Sequence, residues 1–513
     1  MRPHLIHPDR DIDFDEYLPV HVDEVADEMA DDDQVIHDVA KHVLLGCSTD
    51  VDVVRFRQAV TADCLEHEDT IRQLYDLASQ TLLEEHEIFR SVFAKGPESM
   101  LRHAVQVLKV FLTALRSLRD ICQTLEGSVR SAGLRDLCAE VRTNLDDAYL
   151  DVLAAHVKRL QLKDGLLLSA HLGPTGGSSH MIMRTPRAEN RTLFHRNAVK
   201  RPTFDYTIPE RDEAGFRSLS DFRDRGLAAV ADAAEQSADD VLGFFRSLHA
   251  ELAFYVGAQN LVHELDRLGV ETCVPHAVEP GAEAMSAQDL REVALAIESR
   301  TAPVPVDLNG DGKRLIVITG ANRGGKSTAL RAIGLAHLLM QAGLPVAARS
   351  FTASLRPHIF THFKREEDQN FGSGKFDEDL RRMKDIVHDI SSGSLLLCNE
   401  SFSSTNEAEG SRIGLDVVTA LADAGVTVCL VTHMYDFSLP LQRGSRPTTF
   451  LRAERGEGGN RPYRLVAAPP LPTSYGEDVY AQVFGHRPQS FSSGDEHLTA
   501  SGTTGPARAS EAP

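Results

Sequence analysis

One segment, residues 314–328, constrains the fold of this chain more than any other. A largely apolar run at 315–319 leads into a glycine-rich turn that ends in a lysine and a hydroxyl, and apolar residues recur with helical spacing over 328–341. The turn fits the pattern G-x-x-x-x-G-K-[ST], in which glycines let backbone N–H groups turn inward around phosphates. The segment therefore predicts a strand, a loop that binds a nucleoside triphosphate, and a helix.

Nine consecutive residues are the candidates for nucleotide binding. They are Gly320, Ala321, Asn322, Arg323, Gly324, Gly325, Lys326, Ser327 and Thr328. In this interpretation Lys326 reaches the β- and γ-phosphates and Ser327 ligates Mg²⁺. The positive end of the helix dipole faces the same anion.

A second polar site, Asn399-Glu400, follows another predicted apolar strand at residues 394–398. Glu400 lies 74 residues after Lys326. In hydrolases with such a loop, this strand end carries an acid for Mg²⁺ and often a glutamate that polarises the attacking water. Glu400 fits the second role, but the first position holds Asn399, whose neutral amide does not offset the charge of Mg²⁺. The site predicts nucleotide binding with slow hydrolysis or weak Mg²⁺ dependence; the alternative is an ordinary buried strand end.

A histidine, His433, follows the apolar run 426–431. Histidines in such positions are often structural, but one that follows the strand after Glu400 is placed to contact the γ-phosphate and hold the water. Glu400 and His433 are therefore the candidate catalytic residues, and Ser327 and Asn399 are the candidate Mg²⁺ ligands.

Apolar spacing divides the rest of the chain into a helical part and a part in which strands and helices alternate. The predicted domains are an acidic segment at 1–20, a helical domain at 21–280 with an irregular insertion at about 163–210, a nucleotide-binding domain at 285–485 and a disordered tail at 486–513. The clearest helices are predicted at 100–125, 134–160 and 216–268, and short strands at 166–170 and 181–183. Residues 278–284 are predicted to be a linker, and the runs 315–319, 346–348, 394–398 and 426–431 are predicted strands of a largely parallel sheet.

Composition limits the classes of function. With 42% hydrophobic and 25% charged residues over 513 positions and no apolar run near 18 residues, the chain is expected to be cytoplasmic, without a membrane partner. The seven cysteines are scattered without a C-x-x-C pair and the histidines form no H-E-x-x-H pattern, so metal other than Mg²⁺ is not indicated. The first 40 residues hold 13 acidic and 2 basic side chains, which disfavours casual contact with nucleic acid there.

Several segments together resemble the ATPase domain of the MutS family. Thr319-Gly-Ala-Asn-Arg-Gly-Gly-Lys-Ser-Thr328 is similar to the family pattern T-G-P-N-M-G-G-K-S-T, and Ile359-Phe-Thr-His to I-F-T-R. Residues 394–410 match S-L-V-L-x-D-E-x-x-x-G-T-x-x-x-x-G in spacing, and Thr432-His433 matches the end of A-T-H. The resemblance continues more weakly into the helical part and covers about residues 30–485.

This resemblance implies a fold, a cofactor and a partner. The implied fold is an α/β P-loop NTPase domain of the ABC class preceded by a long all-α lever and core domain, with ATP and Mg²⁺ as ligands. Family ATPases are dimers in which a serine from the other subunit completes each site. The aligned stretch places Ser373 and Gly374 as candidates for that trans contact in a homodimer.

The implied function is an ATP-driven dimeric clamp in DNA repair or recombination, without classical mismatch recognition. Phe14-Asp-Glu16 has the letters of a mismatch wedge, but acidic neighbours would repel phosphate, and we interpret the match as chance. A modest basic cluster at 184–201 either contacts DNA or is a solvated loop. The alternative function is an ATP-gated binding protein with low turnover, whose partner is a protein or a ribonucleoprotein.

Overall fold

The computed structural model describes residue 5 and residues 21–46, 48–90, 96–163, 165–172, 178–184, 207–364, 374–456 and 460–472. Several sequence predictions fall outside these residues. They are the Phe14–Glu16 match, Ser373, most of the basic cluster and the tail at 486–513. Among the described residues, no helix is both long and apolar enough to cross a membrane.

The first part of the chain is helical. Its helices are α1 (Val22–Ala30), α2 (Gln34–Leu45), α3 (Val51–Glu66), α4 (Glu68–Arg90), α5 (Pro97–Leu125), α6 (Ala132–Asn144), α7 (Asp147–Leu160) and α8 (Glu213–Arg267). The predicted helices at 100–125 and 216–268 are confirmed as α5 and α8. The predicted single helix at 134–160 is wrong, because the Asp146 side chain accepts a hydrogen bond from Tyr149 N at 2.7 Å and starts a new helix.

Helix α8, with 55 residues, is the helix against which α1 to α5 pack, whereas α6 and α7 pack on α5. Phe245 on α8 stacks on Phe111 of α5 with 5.9 Å between ring centroids, and both rings are buried. Tyr255 is fully buried, and its hydroxyl donates to the Leu5 carbonyl at 2.7 Å. Before α8, β1 (Leu167–Leu172) and β2 (Ser178–Arg184) form an antiparallel pair, which confirms the two short strands predicted there.

The second part alternates strands and helices. Its elements in chain order are β3 (His276–Val278), β4 (Met285–Leu290), α9 (Val293–Ser299), β5 (Val306–Asn309), β6 (Leu315–Gly320), α10 (Lys326–Ala342), β7 (Ser350–Ser354), β8 (Ile359–Phe363), α11 (Lys375–Asp389), β9 (Leu395–Asn399), α12 (Glu407–Asp423), β10 (Thr427–Val431), α13 (Tyr435–Arg443), β11 (Thr448–Ala453) and β12 (Leu465–Ala467).

These strands form two sheets. The larger has the order β12-β11-β6-β10-β9-β8, and all its pairings are parallel except β12 with β11. The prediction of a largely parallel sheet is therefore confirmed. The smaller sheet has the order β3-β7-β4-β5, and it includes Val278, the first residue of the predicted linker.

The strand predicted at 346–348 is wrong. Val346 makes only an isolated bridge to Cys273, and the strand of this region is β7, four residues later. Ala348 N donates to Val346 O at 2.8 Å, so the apolar run is a tight buried turn.

Helix α10 connects the glycine-rich turn to the helical part. Near its C-terminus, Gln341 donates to Ser48 O at 3.2 Å, and Thr61 Oγ1 of α3 donates to Gly343 O at 3.1 Å. Gln341 and Thr61 are both buried. One end of α10 thus lies at the candidate site and the other is fixed to α3.

Candidate nucleotide site

The site begins with a loop at the carboxyl end of β6. We call residues 320–325 the glycine loop. Gly320 has φ 106°, and a Cβ atom there would lie 2.8 Å from Ala453 N, so only glycine fits. Gly325 is the N-cap of α10 with φ 85°, and no side chain caps the helix. The first N–H groups of α10 are therefore open to an anion.

Lys326 is held in the loop by backbone oxygens. It is 5% exposed, and its Nζ donates to Gly320 O and Ala321 O at 3.0 Å each and to Asn322 Oδ1 at 3.5 Å. Burial lowers the pKa of Lys326, Glu400 opposes this, and Arg461 adds to the lowering. A bound anion would favour the charged ammonium and take over these hydrogen bonds.

Ser327 and Asn399 form a pair. The Ser327 hydroxyl donates to Asn399 Oδ1 at 3.0 Å. Ser327 is in the first turn of α10, after β6, and Asn399 ends β9, two strands away from β6 at the same edge of the larger sheet. Hydroxyl and amide oxygens are the hard donors that suit Mg²⁺, so the pair fits that ion. Both groups are neutral, because an asparagine stands at position 399 where an acid is usual, so neither would offset the charge of the ion.

Glu400 and His433 follow adjacent strands, β9 and β10. Glu400 N donates to Val431 O at 2.9 Å, and the Glu400 backbone has φ 55°. His433 Nδ1 lies 3.6 Å from Glu400 Oε1, with side chains 37% and 31% exposed. The neighbouring His433 side chain lowers the pKa of Glu400 against the effect of burial, and Lys326 and Lys364 lower it further. Glu400 is therefore ionised at neutral pH.

A cavity of about 360 Å³ joins these groups. Its lining consists of Asn322, Arg323, Gly324, Gly325, Lys326, Ser327, Thr328, Glu400 and His433. The structure thus brings together most of the predicted nucleotide-binding and catalytic residues. Gly320, Ala321 and Asn399 lie behind the lining and bind its side chains. A larger cavity, about 910 Å³, lies between β4, β5, β11 and β12 and contains none of the predicted residues.

Gly374, predicted as a trans contact, is the exposed N-cap of α11 and does not line the 360 Å³ cavity.

Three other neighbours of the site were not predicted from the sequence. His362 and Asp379 form hydrogen bonds with the turn that starts at Glu400, and Ser404 is part of that turn. The one sequence signal for them is that His362 and Ser404 depart from the patterns I-F-T-R and D-E-x-x-x-G-T.

Comparison with known proteins covers both parts of the chain. Residues 49–268 match the family model of the MutS2 N-terminal domain, and residues 316–450 match that of MutS domain V. The chain belongs to the MutS family. The second match spans most of the larger sheet, the glycine loop, Asn399, Glu400 and His433, so these site residues lie in a MutS domain V with an α/β fold.

Relatives of this MutS-family chain match it only in part. "DNA mismatch repair protein MutS" of Synechococcus sp. (strain CC9605) is 31% identical over 34% of this chain and 20% of its own length. "Endonuclease MutS2" of Thermomicrobium roseum is 28% identical over 41% of this chain and 27% of its own. "DNA mismatch repair protein MSH1, mitochondrial" of Arabidopsis thaliana is 33% identical over 36% and 16%. The matched segments therefore span about a quarter or less of these relatives.

Proposed function

We propose that this MutS-family chain is an ATPase of the P-loop, ABC-class type, and that it works as an ATP-driven homodimeric clamp on DNA in repair or recombination. The observation that carries this proposal is the single cavity in which Lys326 and Ser327, at the open end of α10, face the ionised Glu400 and His433. A phosphate-binding end and a water-activating end in one cavity are the parts that phosphoryl transfer to water requires.

Each residue of the cavity has a separate role in the proposed hydrolysis of ATP. Lys326 binds the β- and γ-phosphates in place of the loop carbonyls that it contacts at 3.0 Å. Ser327 and Asn399 would hold Mg²⁺, and a bound Mg²⁺ would supply charge neutralisation at the phosphate oxygens. Glu400 accepts the proton of the attacking water, and His433, 3.6 Å from it, holds that water against the γ-phosphate.

DNA as the partner is supported by the relatives, which are named for DNA mismatch repair or as an endonuclease. A homodimer is supported by the family resemblance, with Ser373 or Gly374 as the candidate trans contact. The exposed N-cap at Gly374 leaves that end of α11 accessible to a second copy.

A second function is favoured by Asn399. Its amide accepts the Ser327 hydroxyl at 3.0 Å but carries no charge, so Mg²⁺ is held less tightly than by a carboxylate. This favours an ATP-gated binding protein with low turnover whose partner is a protein or a ribonucleoprotein.

Steady-state ATP hydrolysis tests the enzymatic part of the proposal. We expect slow hydrolysis by the wild type, and loss of about 100-fold or more in Glu400→Ala because the general base is removed. Glu400→Ala as active as wild type would remove Glu400 as the base. Hydrolysis too slow to measure, with tight ATP binding, would favour the second function.

DNA binding at several salt concentrations tests the partner. Duplex, mismatched and junction DNA are compared with and without ATP, using Lys326→Ala as the variant without ATP-driven closure. We expect a complex that weakens steeply with salt, because Lys and Arg release counterions from phosphates. Absence of a salt-dependent complex with all three DNAs would overturn the DNA clamp.

A further inference from the structure

Helix α11 is attached to the turn that carries Glu400. We call residues 400–404 the acid turn. Asp379, on the second turn of α11, is 7% exposed, and its Oδ2 accepts a hydrogen bond from Ser404 Oγ at 2.7 Å. Arg382, one helical turn further, donates to Phe363 O at 3.0 Å and lies 4.0 Å from Asp379 Oδ1. The helix therefore contacts both β8 and the acid turn.

A second connection runs through His362, which is fully buried on β8. Its Nε2 lies 3.0 Å from Asp379 O, and its Nδ1 lies 2.7 Å from Ser401 Oγ. Burial lowers the pKa of His362, and the nearby Arg382 lowers it further, so the ring is neutral. A carbonyl only accepts hydrogen bonds, so Nε2 carries the hydrogen. Nδ1 is then an acceptor, and the single Ser401 hydroxyl hydrogen lies between Nδ1 and His362 O, which is 2.9 Å from Ser401 Oγ.

The acid turn needs such support because its backbone is strained. Glu400 has φ 55° and Phe402 has φ 66°, a left-handed conformation that costs a non-glycine residue on the order of 1 kcal/mol or more. Phe402 is fully buried, and its ring stacks on His362 with 5.9 Å between centroids. Residues held in this conformation persist only when surrounding contacts fix them.

We propose that Asp379 is a positioning residue for Glu400: its carboxylate accepts from Ser404 and its backbone carbonyl from His362, and the carboxylate contact fixes the acid turn to α11 and so holds the Glu400 carboxylate at the cavity. This proposal rests on the proposed ATPase function. Both hydroxyls of the acid turn that contact this network, Ser401 and Ser404, flank Phe402, so the strained segment is fixed on both sides. Asp379 itself does not line the cavity, so it acts through the turn and not on the nucleotide.

Kinetics provide the first test, with the variants Asp379→Ala, Asp379→Asn and Ser404→Ala. Asp385→Ala is the matched control, because Asp385 is exposed on the same helix. We expect kcat for ATP to fall at least tenfold in Asp379→Ala and Ser404→Ala, since a misplaced catalytic group costs up to about 100-fold. KM should stay within about twofold, because the glycine loop is untouched. Asp379→Asn should recover most of the activity, because its amide oxygen still accepts from Ser404.

Amide hydrogen exchange of the nucleotide-free protein provides a test that needs no turnover. We expect Asp379→Ala and Ser404→Ala to speed exchange in residues 400–405 by at least tenfold while residues 320–330 exchange as in wild type. Unchanged exchange at 400–405, or a raised KM with unchanged kcat, would overturn the positioning role. If wild type does not bind ATP, the proposed function fails, whereas the exchange comparison still decides whether Asp379 fixes the turn. Ser404→Ala removes the same hydrogen bond if Asp379→Ala does not fold.

Discussion

The glycine loop and the acid turn lie at the ends of strands in one sheet but are shaped by different means. Both contain left-handed backbone. The loop has positive φ at two glycines, 320 and 325, and at Arg323, whereas the acid turn has it at Glu400 and Phe402 and at no glycine. The loop holds Lys326 with backbone oxygens, whereas the turn is held by the side chains of His362 and Asp379. In the proposed ATPase, phosphate binding therefore depends on local sequence, whereas the position of the general base depends on contacts from distant segments.

The largest effect is expected from the loop. Lys326→Ala removes the ammonium that the loop positions, and ATP affinity should fall about 100-fold, equivalent to about 3 kcal/mol. Equilibrium binding of a fluorescent ATP analogue measures this, with Lys384→Ala, an exposed lysine of α11, as the control. If Lys326→Ala binds as well as the control, the loop is not the phosphate site and the comparison fails.

The second largest effect is expected from Gly410, a glycine that packs against the acid turn. A Cβ atom on Gly410 would lie 2.3 Å from Phe402 O, and this backbone oxygen cannot move away without shifting the turn. Gly410→Ala should lower the free energy of unfolding by about 1–3 kcal/mol. Gly243→Ala is the control: nothing lies within 4 Å of its added Cβ, and alanine should stabilise α8 by about 0.5–1 kcal/mol. Denaturant midpoints of the two variants should move in opposite directions.

A smaller effect is expected where the loop meets β9. Asn399→Asp adds a carboxylate 3.0 Å from the Ser327 hydroxyl, and Mg²⁺ should then increase ATP affinity about tenfold more than it does in wild type. ATP binding with and without a chelator measures the difference, and Asn144→Asp at the exposed end of α6 is the control. Equal Mg²⁺ dependence in wild type and Asn399→Asp would show that position 399 does not contact the ion.

Much of the fold could be predicted from the sequence because it follows local rules. Helices α5 and α8 were predicted to within about three residues by apolar spacing, and β9 and β10 by apolar runs before polar residues. The failures have local causes too. Asp146 caps a new helix inside a continuous periodic pattern, and the apolar run at 346–348 is buried in a turn, which apolarity alone does not distinguish from a strand.

The candidate site divides in the same way. Residues next to strand ends, such as Lys326, Glu400 and His433, could be predicted to meet because carboxyl ends of parallel strands lie at one sheet edge. The contacts of His362 with Ser401 and of Asp379 with Ser404 join residues 39 and 25 positions apart. No spacing rule relates a residue of β8 or α11 to a serine that follows β9, so only the structure could place them.

The smallest expected effect concerns how the acid turn titrates. The His433 side chain, 3.6 Å away, holds the pKa of Glu400 below its ordinary value of 4.5, so Glu400 stays ionised as pH falls toward that value and loses its charge only below it. In His433→Gln that pKa should rise, and the ratio of kcat at pH 5 to kcat at pH 7.5 should fall about threefold relative to wild type. His388→Gln, at an exposed position of α11, is the control. Comparing the ratio of the two kcat values cancels any loss of activity that is the same at both pH values. The contact between Glu400 and His433 should affect folding stability with the same pH dependence. Its contribution to the free energy of unfolding is present above the ordinary pKa of Glu400 and is lost as pH falls through the lowered pKa. An unchanged ratio would show that His433 does not set the charge of Glu400, and the acid turn would then differ from the glycine loop in how it is positioned and not in how it titrates.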